Sequence, residues 1–402
     1  MKHILILNCG SSSVKFKIIA MPAATTLLVG SIKGIGEKIG EHRLTLHVGD
    51  KPETHMEAAT FPDHGAAFSA VHDDLNRLTQ SGSGIQIEVI GHRVVHGGCR
   101  FFEPVQLTPE IVEQIAELEL LAPQHLPGNL QGIRLCMALF DDLPQVAVFD
   151  SAFHHNMPEY AYRYPIPEKW YRDFGIRRYG FHGSSHQYVA GKASAILGKP
   201  LEQLNLISLH LGNGDSACAI RNGQSIDSSM GFTPLEGLMM GSRCGDLDAS
   251  IPLYLQQKHG LSVEEVAYQL NFESGLQAIC QSHDMRDIIR RAQAGEAGAT
   301  LARDMFVYHV RKYIGAYLIA LGDLDALIFT GGIGEHSAEI RARCCEGLAR
   351  FGLCLDNHAN LATDDEVAVI SEQQSTSQIL VIPTDEELQI AREVSAYLQW
   401  QI

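Results

Sequence analysis

Leu204-Asn-Leu-Ile-Ser-Leu-His-Leu-Gly-Asn-Gly-Asp-Ser-Ala-Cys-Ala-Ile220 contains two apolar runs, Leu204 to Leu211 and Ala217 to Ile220, joined by Gly212-Asn213-Gly214-Asp215-Ser216. Such runs around a glycine turn predict a strand, a tight turn and a second strand. The glycines let the backbone approach a ligand closely, and consecutive amides beside Asn and Ser form a cradle for an anion. Most glycine turns only reverse a hairpin. Repetition sets this one apart, because Ile4 to Leu7, Asn8-Cys9-Gly10-Ser11-Ser12-Ser13 and Val14 to Ile19 show the same pattern near the N-terminus. The pair predicts an α/β fold made of two duplicated domains, with a nucleotide held in a cleft between them and a phosphate loop from each half.

The totals agree with that outline. A chain of 402 residues exceeds one core and predicts two domains. The expected division is 1–150 and 151–383, with the C-terminal helix 384–402 returning to the first domain. With 31 Lys+Arg against 47 Asp+Glu, the net charge of -16 speaks against nucleic acid or an anionic membrane as partner. Nine cysteines without paired metal spacing predict reduced thiols of a cytoplasmic protein. The only apolar run before Asn8 is too short for a signal peptide, and no later run has membrane-spanning length.

From the first hairpin to about Gly84 the chain reads as polar and irregular, apart from a helix over Ala66 to Leu78. Gln86 to Ile90 reads as a strand. Arg93 follows at its carboxyl end, where open α/β sheets place ligand groups; function and simple solvation are both open for it. Thr108 caps a helix that Pro123 stops, leaving His125 in a loop between Pro123 and Pro127, either as a ligand group or as a packed histidine. Asp150 ends the strand Gln145 to Phe149, a position suited to metal or nucleophile orientation and also to a helix cap. In Gly180-Phe181-His182-Gly183-Ser184-Ser185-His186, His182 falls in a loop before a serine-capped helix and faces phosphate, while His186 is structural. Arg243, between Gly241 and Gly245, is a second candidate anion binder or a partner of Asp246 or Asp248. Strand Ala326 to Thr330 runs into Gly331-Gly332-Ile333-Gly334-Glu335. This lacks the dinucleotide spacing but suits a sugar and phosphate resting on a helix start. In Pro383-Thr384-Asp385-Glu386-Glu387, Thr384 and Glu387 read as a capping box, which leaves Glu386 available to a metal.

Together, Asn8-Cys-Gly-Ser-Ser-Ser-Val-Lys15, His92-Arg93-Val-Val-His-Gly-Gly98, Gly180-Phe-His182-Gly, His210-Leu-Gly-Asn-Gly214, Gly-Ser-Arg243 and Thr330-Gly-Gly-Ile-Gly-Glu335 closely resemble the acetate/propionate kinase family nearly end to end. The resemblance implies an actin-like ATPase (ribonuclease H-like) fold, ATP/ADP and Mg²⁺ as cofactors, a short-chain carboxylate as substrate, and a homodimer. By that resemblance Asn8 and Glu386 hold Mg²⁺, Arg93 binds the substrate carboxylate and Asp150 is the active-site acid. His182 and Arg243 stabilise the transition state beside His125. Lys15, Ser11 and Ser12, His210-Leu211-Gly212-Asn213-Gly214, Asp284-Met285-Arg286 and Gly331 to Glu335 bind nucleotide, and Val95, Phe181 and Pro234 wall the substrate pocket. Ser184, Gln124, Leu126, Cys244 and Asp385 depart from the usual pattern without removing a catalytic group.

A carboxylic acid is already ionised at neutral pH, so the chemistry to be eased is the approach of one anion to another. Arginines, a donating or protonated His182 and a metal meet that need. A sugar or polyol kinase on the same scaffold, with Asp150 as a true base, is the alternative enzyme. An association-driving ATPase is a third reading.

Overall fold

The computed structural model describes residues 1–47, 52–80, 84–364 and 366–400. It divides into two compact units, Met1–Ala152 with Asp385–Ile402, and Phe153–Thr384. The last two positions of the expected helix 384–402 lie outside the described residues.

Among its described residues the first unit holds eight strands: β1 (Lys2–Cys9), β2 (Ser13–Met21), β3 (Thr25–Lys33), β4 (Gly40–Leu46), β5 (Glu53–Ala59), β6 (Ile87–Val94), β7 (Val105–Gln106) and β8 (Gln145–Phe149). Their order is β5-β4-β3-β2-β1-β6-β8-β7, with β1 antiparallel to β2 and β6 parallel to both β1 and β8. β1 is apolar on both faces, as a central strand with helices on either side must be. Ile4 and Ile6 pack with Ile390 and Val394 of the helix Glu386–Tyr397, while Leu5 and Leu7 join Phe68 and Val71 of the helix His64–Gln80 on the other face. Each such fully buried side chain is worth roughly 1.5–3 kcal/mol. Gly91 permits the close fit, since a methyl there would stand 2.7 Å from Ile6 Cδ1 and 3.1 Å from Val394 Cγ2.

The second unit holds β9 (Asn205–His210), β10 (Ser216–Arg221), β11 (Gln224–Ser228), β12 (Ala326–Thr330), β13 (Ala368–Val369) and β14 (Gln378–Val381), ordered β11-β10-β9-β12-β14-β13. Here β9 is antiparallel to β10, and β12 is parallel to both β9 and β14. The long helix Ala297–Leu321 covers one face through Phe306, Val310 and Ile314. Thus β3-β2-β1-β6-β8 and β11-β10-β9-β12-β14 share one pattern, a three-stranded antiparallel meander followed by two parallel strands. The duplication anticipated from the twin hairpins is present.

The stretch expected to be irregular instead forms β3, β4 and β5, with residues 48–51 and 81–83 outside the described residues. Two features hide these strands. Gly30 sits in β3 because a methyl there would fall 2.1 Å from the Phe16 ring, so a residue that reads as a breaker is a packing device. β5 exposes residues on both faces and carries no alternation to detect. His125 is also not in a plain loop: it stands at the N-cap position of the helix Leu126–Leu139, whose first turn contains Pro127.

Candidate functional site

In the first unit the turn between β1 and β2 is closed by Gly10 N–H donating to Ser13 O at 2.8 Å. His64 Nε2 bonds Gly10 O at 2.8 Å from outside the turn. Asn129 was not singled out by the sequence. It donates to Cys9 O at 2.6 Å and accepts Val95 N–H at 3.0 Å, tying the end of β1 to the segment after β6. Gly128 makes this approach possible, because a methyl there would lie 3.0 Å from Gly10 C. Ser11 and Ser12 are exposed on the turn, and Asn8 and Lys15 are register partners on β1 and β2. Val95 is half-buried against the cluster that includes Leu126 and Phe149.

Arg93, Asp150 and Glu386 meet from three elements. Arg93 lies within β6, which runs on to Val94, and Asp150 follows the adjacent parallel strand β8, its amide bonded to Val94 O at 2.8 Å. Arg93 Nη2 donates to Asp150 Oδ2 at 2.9 Å, and Arg93 Nε is 3.6 Å from Glu386 Oε2. Burial works against the Arg93 charge, but Asp150 and Glu386 outweigh it and hold the guanidinium firmly protonated. Burial pushes the Glu386 carboxyl up, with Arg93 pulling it back and Asp150 adding to the rise.

The C-terminal helix corrects the expected capping box. Its cap is Asp385, whose Oδ1 accepts Leu388 N–H at 2.9 Å and Lys17 Nζ at 2.7 Å. Thr384 bonds Ser185 Oγ at 2.8 Å instead. Glu387 stands 3.9 Å from Lys17 Nζ.

In the second unit the loop between β9 and β10 is turned inward by Asp215. This fully buried residue accepts Gly212 N–H on Oδ1 at 2.6 Å, so that amide is withdrawn from the expected cradle. The amides of Asn213 and Gly214 have no protein partner among the described residues. Burial pushes the Asp215 carboxyl well up, with the Gly212 amide and the Arg243 guanidinium pulling it back. Arg243 crosses Gly214, where a methyl would stand 2.9 Å from its Nη2, and its Nη1 donates to Pro234 O at 2.8 Å.

The helix Gly183–Leu197 is not serine-capped. His182 itself is the N-cap, at φ +56, without a side-chain cap bond, and Ser185, already inside the helix, bonds His210 Nδ1 at 2.8 Å. His182 Nδ1 is 2.8 Å from Ser216 Oγ, and its ring lies 4.2 Å from that of His210. A non-glycine residue held at that φ is stored strain of the kind found at functional sites. Phe181 is buried, and its carbonyl accepts from His154 Nε2 at 2.9 Å.

A cavity of about 840 Å³ in this unit is lined by Gly212, Asn213, Asp284, Met285, Arg286, Gly332 and Ile333, so the structure gathers seven of the residues assigned to nucleotide by resemblance. His283, Ile289, Arg290, Gln293, His336, Ser337 and Ala338 complete the lining; of these the sequence marked only Ser337, and as a helix cap, which it is. Other assigned residues build the wall from behind. Leu211 is buried and its carbonyl accepts from Ile333 N at 2.8 Å and Gly334 N at 3.2 Å. Gly331 has φ +74 and would meet Leu211 O at 2.7 Å if it carried a methyl. Glu335 Oε1 accepts from the amides of Gly331 at 2.8 Å and Thr384 at 3.1 Å, holding the helix start in place.

The repeated meander-plus-parallel sheet, with a loop after the first strand of each, defines a duplicated α/β protein of the actin-like ATPase class. The chain matches the Acetokinase family over residues 3–392 and belongs to it. It is 47% identical over 394 residues to an acetate kinase of Syntrophobacter fumaroxidans, covering 97% of this chain and 96% of the relative. It is likewise 47% identical over 395 residues to an acetate kinase of Carboxydothermus hydrogenoformans, covering 97% and 98%. Among solved structures it resembles a propionate kinase from Francisella tularensis, with 40% identity, TM-score 0.91, and 98% and 99% of the chains covered. It also resembles the acetate kinase of Porphyromonas gingivalis, with 38% identity, TM-score 0.89, and 99% and 100% covered.

Proposed function

We propose that the protein transfers the γ-phosphoryl group of ATP to a short-chain carboxylate, acetate or propionate, giving an acyl phosphate and ADP reversibly by direct in-line displacement. Family membership over nearly the whole chain is the observation that carries this reading.

Two like charges about 4 Å apart repel by roughly 4 kcal/mol at an effective dielectric near 20, so positive groups are the first requirement. Arg93 binds the substrate carboxylate. Asp150, bonded to it at 2.9 Å, orients the guanidinium rather than carrying a proton, because the acid arrives already ionised. Arg243, His182 and His125 stabilise the charge that spreads over the phosphoryl oxygens. The nucleotide occupies the cavity of the second unit, with Gly332 and Ile333 at a helix start and Asn213 and Gly214 offering amides. Lys15, Ser11 and Ser12 add a second cradle, and His210 and Glu335 support the first. Val95, Phe181 and Pro234 receive the alkyl tail. One methylene is worth about 0.8 kcal/mol, so acetate and propionate differ only a few fold unless shape excludes one.

Asn8 and Glu386 would hold Mg²⁺. Both offer oxygen donors, and Glu386 and Asp150 together place two carboxylates against the single Arg93 guanidinium, leaving negative charge for a cation. Among the described residues no cluster of three or more His, Cys, Asp or Glu could hold a metal alone. Mg²⁺ commonly takes only one or two protein carboxylates and completes its shell with water and phosphate. Bound there, it would neutralise phosphate charge.

We propose further that the protein is a cytoplasmic homodimer without nucleic-acid or membrane partners. Supporting it are nine free thiols and a net charge of -16, and the helix Ser250–His259, which buries none of its residues and exposes Leu253 and Tyr254. No helix among the described residues is long and apolar enough to cross a membrane. Incubation with ATP, Mg²⁺ and acetate, propionate or glucose, followed by hydroxylamine, tests the activity. Acyl hydroxamate is expected with the acids only; phosphorylation of glucose instead would favour the sugar kinase.

A further inference from the structure

Behind His182 runs a chain of hydrogen bonds that reaches the core. His182 Nδ1 is 2.8 Å from Ser216 Oγ, Ser216 Oγ is 2.8 Å from His186 Nε2, and His186 Nδ1 is 2.9 Å from Ser208 Oγ. Ser216, His186 and Ser208 are fully buried. Burial also keeps His186 neutral, with His154 and His210 acting in the same direction. A neutral imidazole has one donating and one accepting nitrogen, and a hydroxyl bonded to two partners donates to one and accepts from the other. The chain therefore has two possible directions, and its inner end chooses between them.

Ser208 Oγ has His186 as its one hydrogen-bond partner among the described residues. If His186 donated to it, the Ser208 proton would be buried without an acceptor; if Ser208 donates, every donor in the chain is satisfied, and an unmade buried donor is the costlier fault. Ser208 then donates to His186 Nδ1, His186 Nε2–H to Ser216, and Ser216 to His182 Nδ1. We infer that Ser208, His186 and Ser216 are positioning residues that lock His182 as the neutral tautomer carrying its proton on Nε2. His182 then donates to the phosphoryl oxygens without first becoming an imidazolium. The His210 ring at 4.2 Å favours this arrangement, since two charged rings would repel.

The use of that N–H toward phosphate rests on the acyl kinase reading, but the tautomer does not, and nitrogen NMR of the full-length protein with ¹⁵N-labelled histidine reads it without turnover. With His182 assigned by comparison with His182→Gln, the expected result is a proton on Nε2 and a bare Nδ1 throughout the neutral and alkaline range. A proton on Nδ1, or on both nitrogens, overturns the inference. Ser216→Ala releases the lock, so kcat should fall at least about tenfold at alkaline pH and recover partly as the medium is acidified and the ring gains its second proton. Nucleotide KM should stay within about threefold. A loss that is the same at every pH, or no loss, contradicts the role. A protein with the Nε2 tautomer that makes no acyl hydroxamate would refute the kinase reading and leave the chain of bonds standing.

Discussion

The two units share a sheet pattern and a loop after the first strand, yet they prepare for anions differently. In the first, the polar side chains are charged and matched: Arg93 faces Asp150 and Glu386, and Lys17 faces Asp385. In the second, His182, Ser216, His186 and Ser208 form a chain of neutral groups beside a loop of amides, with Arg243 as the guanidinium that crosses it. Buried opposed charges hold one another at fixed positions, and two carboxylates against one guanidinium leave negative charge over, which suits the fixing of Arg93 for a carboxylate and the placing of a metal. Fixed neutral donors need no reorganisation when charge develops, which suits a transition state. On the proposed function, the same scaffold would carry a binding chemistry in one copy and a stabilising chemistry in the other.

The sharpest way to break this contrast is Arg243→Ala. It removes a cation whose interaction grows as phosphoryl transfer proceeds, so kcat should fall by about a hundredfold to a thousandfold, with a smaller change in nucleotide KM, in steady-state kinetics. A near-native kcat would place the stabilising chemistry elsewhere. Arg93→Ala should act on binding and on the fold together. Carboxylate KM should rise at least about tenfold, and two carboxylates left facing each other should lower stability by about 3–5 kcal/mol, read by chemical denaturation. Adding Asp150→Asn should restore part of the stability and none of the affinity.

Asn129→Ala probes the framework beneath these charges. Leaving Cys9 O and Val95 N–H unpaired should cost about 1–3 kcal/mol in a denaturant titration.

A pH effect separates the units further. Burial raises the Glu393 carboxyl to about 7, with the Gln389 amide pulling it down and Asp150 pushing it up. Its folded value lies above the unfolded one, so the native state keeps a proton that the unfolded chain has lost. Stability is complete below the unfolded pKa and falls as pH rises to the folded value. Glu393→Gln should therefore raise the melting temperature relative to the parent in alkaline buffer and change it little in acid.

The smallest effect is expected at the C-terminal helix. Asp385→Ala should lower stability by about 1 kcal/mol through the lost cap. Equal loss in Thr384→Ala would reinstate the capping box.

The sequence made the twin hairpins legible because each pairs apolar runs with glycine, and topology follows once two such hairpins are recognised. Arg93 and Asp150 stood out at strand ends, but their meeting depends on β6 and β8 being neighbours, which no local pattern encodes. Asn129 was invisible, and Ser216 was read as part of the anion cradle rather than as the link from His182 to His186, for a related reason. An amide in a helix or a hydroxyl in a strand has no periodicity, and its value lies in partners up to 120 positions away. The β9–β10 loop was read as a cradle of consecutive amides. Whether Asp215 points outward to solvent or inward to Gly212 is decided by packing, so the loss of one amide could not be foreseen.

On the proposed function, positive groups and fixed donors let a carboxylate attack phosphorus directly, with no protein group carrying the phosphoryl in between. Turnover of ATP made chiral at the γ-phosphorus with oxygen isotopes, followed by configurational analysis of the acyl phosphate, tests it most directly. A single in-line displacement predicts inversion at phosphorus; retention would mean two transfers through a phosphorylated side chain and would contradict the account.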